Sequence, residues 1–353
     1  MQNKKDIRSF NLEQLTEYFV SINEKPFRAK QVYEWLWSKG AHTMDDMTNI
    51  SKSLREKLQN DFVINHIQVD SMQRSSDGTI KNAVKLYDGN LVESVLIPTK
   101  SRSTACVSSQ VGCSLNCNFC ATARLKRMRN LNPDEIYDQV IAIDQQSRLY
   151  YNRPLSNIVF MGMGEPLMNY NNVMKAVEMI TSNKGLGMSP KRIVISTSGI
   201  PKMIKKLADE NPKFSLAVSL HSAIDETRTT LMPFNETFPL NDLKESLIYW
   251  YKKTQSRVTY EYVVWKGIND AKKDIDALIT FCKTIPCKVN LIEYNPIGDD
   301  VYKRADNKAI ELYVTTLEKH RMIVNIRRSR GKDIDAACGQ LANKIKPIKN
   351  EQF

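Results

Sequence analysis

The chain has 353 residues, room for one large domain and a smaller one, and carries 51 Lys and Arg against 39 Asp and Glu for a formal net charge of +12. That balance favours a polyanionic partner, nucleic acid first, with a merely solvated basic surface as the alternative. No stretch approaches the ~20 apolar residues of a membrane span, and the Met1–Asp6 start has no apolar signal core, so a cytoplasmic protein with no membrane partner is expected.

From Leu12 to about Phe62 the apolar period is helical. Leu12, Leu15, Tyr18 and Phe19 share one face, and Phe27, Val32, Tyr33, Leu36 and Trp37 supply a second helix. Ser53 and Glu56 have capping-box spacing, so a third helix is expected to begin there. Lys25, Arg28, Lys30, Lys52 and Lys57 could contact phosphates or simply face water. Between His66 and Ser109 the period changes to strands. Asp88-Gly89 separates Ala83–Tyr87 from Leu91–Ile97, which predicts a hairpin, and Asp77-Gly78 marks another turn. Glu93 lies inside the second of these apolar strands, where a carboxylate is costly unless exposed or partnered. An outward-facing residue is the simpler reading of it.

Four of the seven cysteines then fall between Cys106 and Cys120. Cys113, Cys117 and Cys120 form a C-x3-C-x2-C pattern that one tight loop can fold around a single inorganic centre. Three thiolates suit an iron–sulfur cluster with one iron left open. A structural zinc site is the competitor, with Cys106 as fourth ligand. Disulfides do not fit a reducing compartment, and buried packing cysteines rarely gather at such spacing.

After this loop the chain alternates. Asn132 and Pro133 open a helix running to about Arg148. Strands are expected at Thr104–Ser108, Asn157–Gly162, Arg192–Ser198, Phe214–His221, Val258–Trp265, Val289–Tyr294 and Ile323–Arg328, with helices between them near 171–182, 201–210, 240–254, 271–284 and 308–320. Repeated βα units with short connections imply an α/β fold with a parallel sheet, a six-unit partial barrel rather than a closed eight-fold one. In such barrels function gathers where strands end at their C-terminal side. By that rule the cysteine loop, Gly164-Glu165, Ser196, Ser219-Leu220-His221 and Asn295 share one rim. Singly each has a plain reading: a turn, a helix cap or a satisfied core histidine. Cys338 follows a basic loop, Arg327–Lys332, suited to phosphate contacts, and could be only a buried thiol opening a last helix. Cys282 and Cys287 read as packing cysteines.

Three segments in order carry a resemblance: Cys106 ahead of the triad, Gly162-Met163-Gly164-Glu165-Pro166, and Ala337-Cys338-Gly339-Gln340-Leu341. Together they resemble the radical S-adenosylmethionine (SAM) RNA adenine C2 methyltransferases of the RlmN family, over nearly the whole chain. The resemblance implies a partial (βα)6 radical SAM core over 103–345, a small helical RNA-contacting domain over 1–65, a β-hairpin connector over 66–102 and a disordered tail over 346–353. It implies a 4Fe–4S cluster on Cys113, Cys117 and Cys120 whose open iron chelates SAM. Gly164 and Glu165 would meet the methionine end of SAM, and Ser196, Ser219, Leu220, His221 and Asn295 would line the rest. Cys338 would take a methyl group from one SAM and, after radical attack on adenine C2, tether the RNA. Glu93 would act as the base and Cys106 as the thiolate that releases the product, leaving a transient Cys106–Cys338 disulfide. The implied substrates are 23S rRNA and the tRNA adenosine beside the anticodon, with basic stretches such as Arg124–Arg129 supplying phosphate affinity and a flavodoxin- or ferredoxin-type reductant supplying electrons to a monomer. Two competitors stand beside this reading: the related resistance enzymes that methylate adenine C8, and a non-catalytic zinc-stabilised RNA-binding module.

Overall fold

The structure is a computed structural model that describes residues 4–298 and 301–343; the tail expected over 346–353 lies outside them. The first unit holds a short strand β1 (Lys5–Asp6), helices α1 (Leu12–Ser21), α2 (Phe27–Trp37) and α3 (Lys52–Asp61), and β2 (Phe62–Val63), which pairs in parallel with β1. Asn11 caps α1: its Oδ1 accepts the Gln14 N–H at 2.8 Å while Gln14 Oε1 accepts the Asn11 N–H at 2.9 Å. The third helix starts earlier than its sequence suggests. Ser51, not Ser53, is the cap, because its extended backbone leaves Oγ facing the Leu54 N–H at 3.4 Å. Phe27 also departs from expectation. It is exposed, with the Arg28 guanidinium 5.0 Å from its ring centre, whereas Leu15, Phe19, Val32, Leu36, Leu54 and Leu58 fill the core.

Three antiparallel strands follow: β3 (Gln68–Arg74), β4 (Ile80–Lys85) and β5 (Leu91–Pro98), joined at the Asp77-Gly78 and Asp88-Gly89 turns. They are not a separate sheet. β5 pairs antiparallel with β6 (Ser103–Cys106), and a ten-stranded sheet continues from there. Beyond β6, the short strands β7 (Gln110–Val111) and β8 (Arg129–Asn130) pair antiparallel and bracket the cysteine loop.

The remaining elements are α4 (Pro133–Tyr151), β9 (Asn157–Phe160), α5 (Tyr170–Thr181), β10 (Ile193–Thr197), α6 (Pro201–Asp209), β11 (Ser215–Ser219), α7 (Asp225–Leu231), α8 (Leu240–Thr254), β12 (Val258–Val263), α9 (Lys272–Cys282), β13 (Cys287–Ile292), α10 (Asn307–Lys319) and β14 (Ile323–Arg327). Strands β6, β9, β10, β11, β12, β13 and β14 are parallel neighbours in that order. Six βα units and a seventh strand thus make a partial barrel, and β14 does not pair back onto β6. The helix expected from Asn132 runs three residues further than predicted, to Tyr151, where Asn152 adopts φ 50° and ends it. α7 was not foreseen, since Asp225–Leu231 lacks a clear apolar period.

The helical unit docks on α4. Trp37 packs edge-on against Tyr137 with ring centres 5.3 Å apart, and the Tyr137 hydroxyl donates to the Trp37 carbonyl. Beside them the buried Arg8 guanidinium donates to Asp138 Oδ1 at 2.8 Å and Asp134 Oδ2 at 3.3 Å. Burial holds the Asp134 carboxyl up at about 7, against the pull of Arg8.

Candidate active site at the strand ends

The loop between β7 and β8 is held from both sides. The Asn118 N–H donates to Leu231 O at the end of α7 at 3.0 Å, and the Ala121 N–H donates to Gly339 O at 2.7 Å. Thr122 Oγ1 donates to Leu341 O, also at 2.7 Å. Held this way, Cys113, Cys117 and Cys120 all line one cavity, open to solvent at its mouth. Burial raises each thiol above its ordinary value, to about 11 for Cys113, and for Cys117 the neighbouring Cys120 and Cys113 raise it further. A bound metal centre would stabilise such a group of buried thiols as thiolates.

Among the described residues no group of three or more His, Cys, Asp or Glu side chains is arranged to hold one metal ion. The three cysteines nonetheless line one cavity together, and three thiolates are the ligand set of an iron–sulfur cluster with one iron left open. Cys106 lines a different cavity, so the zinc reading also lacks its fourth ligand. All seven cysteines are free thiols.

The strand ends complete the same cavity. Gly164, Glu165, Ser196, Ser219, His221 and Asn295 line it together with the triad. Glu165 is buried: its Oε2 accepts the Ser198 N–H at 2.7 Å and its Oε1 the Leu167 N–H at 3.1 Å. Burial raises its pKa and these donors oppose the rise, so a cationic amine in the cavity would complete the charge balance. His221, at φ 57°, packs edge-on against Phe119 with ring centres 4.9 Å apart. Its Nδ1 accepts the Val263 N–H at 3.2 Å, and burial drives its pKa down to about 3, so the ring is neutral. It is a satisfied buried histidine and a cavity wall at once. Asn295 Nδ2 donates to Cys338 O at 3.3 Å, tying the end of β13 to the C-terminal turn. Leu220 stands apart. Its side chain is buried in the apolar core, and only its backbone serves the site, through Leu220 O accepting from Arg228 Nε at 3.2 Å.

Cys338 is exposed and lies in a turn, not at the start of a helix. It lines the triad cavity and also a second one, whose wall it shares with Cys106, Met161 and Arg327. Cys106 is fully buried, and burial pushes its thiol up to about 12. Of the basic loop expected to meet phosphate, Arg327 is already engaged: Nη1 donates to Glu261 Oε2 at 3.1 Å, and the neighbouring Cys338 raises its pKa. Lys332 likewise pairs with Glu293 Oε2 at 2.7 Å. Arg328 remains exposed beside the second cavity. Glu93 is inward and wholly buried, contrary to the simpler expectation of an outward residue, and lines neither cavity. Its Oε2 accepts the Ala342 N–H at 2.8 Å, four residues after Cys338.

Sequence reasoning missed Glu261, Arg228 and Lys81. Glu261 carries the signal that marked Glu93, a carboxylate inside an apolar strand, all of whose residues are buried. Arg228 gives no such signal, yet it is buried behind the rim and donates to Ser198 O at 2.6 Å. Lys81 lies on a strand whose alternation reads as solvent-facing, and it is buried.

Comparison with known proteins agrees with this geometry. The family model described as the ribosomal RNA large subunit methyltransferase N-terminal domain matches residues 5–64, and that of the radical SAM superfamily matches residues 107–281. The chain is 70% identical to "Probable dual-specificity RNA methyltransferase RlmN" of Flavobacterium johnsoniae, over 97% of this chain and 98% of the relative. It is 72% identical to the Christiangramia forsetii protein of the same name, over 97% of each chain. A crystal structure of a radical SAM methyltransferase from Sphaerobacter thermophilus superposes with a TM-score of 0.89 at 35% identity, over 96% of this chain and 99% of that one.

Proposed function

The chain belongs to the RlmN family of dual-specificity RNA methyltransferases, and on that premise we propose that it methylates C2 of an adenosine in 23S rRNA and of the adenosine beside the anticodon in tRNA. As a radical SAM enzyme it uses a 4Fe–4S cluster and SAM. Cys113, Cys117 and Cys120 would hold the cluster, and Gly164, Glu165, Ser196, Ser219, His221 and Asn295 would bind SAM beside it. When bound, these two groups supply the methyl group and the one-electron chemistry that an electron-poor ring carbon requires.

The observation that carries the reading is the position of Cys338, which faces the triad cavity on one side and Cys106 on the other. From there its sulfur accepts a methyl group as a nucleophile and presents that carbon to adenine C2. Glu93 then takes the C2 proton. Cys106, as a thiolate, attacks the Cys338 sulfur; the pair of the broken sulfur–carbon bond stays on the methylene carbon, which takes up a proton to become the C2 methyl group, and a Cys106–Cys338 disulfide is left for a reductant to reopen. A target adenine inside folded RNA must leave its stack to reach this point. The net charge of +12 supports an RNA partner, with residues 1–65 as a contacting domain. We further propose a cytoplasmic monomer served by a flavodoxin- or ferredoxin-type donor. Among the described residues no helix is long and apolar enough to cross a membrane.

Two variants test the scheme. Cys106→Ala should accumulate RNA covalently joined to the protein, read as a shifted band that survives denaturing electrophoresis. Cys338→Ala should form none. Absence of adduct in the first variant, or its presence in the second, would overturn the assignment of roles.

A further inference from the structure

Opposite Glu93 stands a second buried charge for which neither the cluster, nor SAM, nor the three-residue scheme above has a use. β4 and β5 pair with Ala83 against Glu93 and Lys81 against Val95. Lys81 and Glu93 are therefore diagonal neighbours on one face of the sheet, within reach of each other only because the lysine is long. Lys81 is 2% exposed and Glu93 0%. The ammonium lies 3.6 Å from Glu93 Oε1 and donates at 3.4 Å to Asp335 O, three residues before Cys338. Glu93 Oε2 is taken by the Ala342 N–H on the other flank of the same turn. Lysine and glutamate thus grip the segment that carries Cys338 from both ends.

Such a pair is a poor device for stability, since burying two charges costs about as much as their attraction returns, and well-packed apolar residues serve as well or better. Its value must lie in what it positions. One oxygen of the carboxylate, Oε2, is fixed by a backbone donor. The other, Oε1, has no hydrogen-bond partner among the described residues, because Lys81 stops just beyond hydrogen-bonding distance. That leaves Oε1 with a free lone pair beside a fixed positive charge.

We propose that Lys81 is the positioning residue for the proton-transfer step: it supplies the counter-charge beside Glu93 Oε1 and, through Asp335 O, ties that carboxylate to the turn that carries Cys338, so that Oε1 is the atom that takes the C2 proton. The proton passes from C2 to Oε1, the carbon–hydrogen pair stays with the ring, and Lys81 keeps its own proton and its bond to Asp335 O. This inference rests on the reading of Glu93 as the base.

The test uses cluster-loaded, full-length enzyme with RNA under single-turnover conditions, comparing Lys81→Met, Lys81→Arg and Glu93→Gln with wild type. In Lys81→Met, SAM cleavage and methyl loading of Cys338, the latter read by mass spectrometry, should stay within about twofold of wild type. The covalent RNA adduct should persist at least about tenfold longer, less than the ~100-fold or more that loss of a general base itself costs, because Glu93 remains. Lys81→Arg should recover most of that loss. A wild-type adduct lifetime in Lys81→Met overturns the proposal, and so does an equal fall of cluster content and SAM cleavage in both lysine variants, which would make Lys81 a packing residue. Rapid release in Glu93→Gln removes the base reading itself, and is recognised separately because it does not involve Lys81.

Discussion

Gly164 offers a direct test of how tightly the SAM-binding turn is built. It sits at φ +94°, and a Cβ added there would lie 2.5 Å from Gln110 Cβ, 2.7 Å from Cγ and 2.9 Å from the backbone N. Gln110 cannot easily yield. Its N–H donates to Met163 O at 3.2 Å, its Oε1 accepts the Glu165 N–H at 2.9 Å, and its Nε2 donates to Asn130 Oδ1 at 2.8 Å. Gly164→Ala therefore combines two costs: about 1–2 kcal/mol for a side chain in a left-handed conformation and about 1–3 kcal/mol for overlap in a packed site. Gly89 is the control, because it has a similar φ of +83° and nothing within 4 Å of an added Cβ. Gly89→Ala should lose only the conformational part. Equilibrium urea unfolding of the two apo variants should place Gly164→Ala about 1–3 kcal/mol below Gly89→Ala. Calorimetric titration of the cluster-loaded proteins should show weakened SAM binding in Gly164→Ala alone. Equal stability losses, with SAM affinity unchanged in both, would refute the steric argument.

Other outcomes follow from the same geometry. Arg8→Met leaves Asp134 and Asp138 buried without their cation and should destabilise the protein by about 3–5 kcal/mol; denaturant titration showing a loss below about 1 kcal/mol would contradict the packing described. His221 is harder to protonate in the folded chain, at about 3, than its ordinary 6.5. The stability it contributes is therefore complete above pH 6.5 and lost as pH falls toward 3, and its protonation on unfolding sets an upper bound of about 5 kcal/mol on the effect. Compared with His221→Gln, wild type should lose more stability over that window, measured by unfolding at stepped pH; parallel curves would show that the ring is not held neutral. Replacing any one of Cys113, Cys117 or Cys120 by alanine should remove iron and abolish SAM cleavage, and a variant that keeps full iron and sulfide content would contradict the three-thiol site.

Much of this architecture is readable in the residues. The apolar period changes near His66, the Asp-Gly turns fall at the bends of the meander, and the βα alternation specifies parallel neighbours, because these are local signals that the chain carries in order. The cysteine spacing is local too, which is why the triad stands out before any fold is known. Where a local signal is ambiguous the reading slips: the Ser53–Glu56 spacing points to a cap at Ser53, whereas the backbone places the cap at Ser51.

Facing and partnership are different in kind. Alternation along a strand does not say which side is the interior of an open barrel, so Leu220 looks like a rim residue and turns into the core, while Glu93 reads as outward and is buried, with Lys81 buried beside it. The basic loop before Cys338 reads as free charge, yet Arg327 and Lys332 are engaged by Glu261 and Glu293 from strands 66 and 39 residues away in the chain. Pairings at that separation form only when the sheet curls and brings β5, β12, β13 and the C-terminal turn to one place. The sequence by itself determined the chemistry available, three clustered thiols, two further cysteines and a set of polar strand ends. Only the tertiary structure decided that Cys338 stands between two cavities, because desolvation and partner geometry are properties of the packed chain and not of any segment of it.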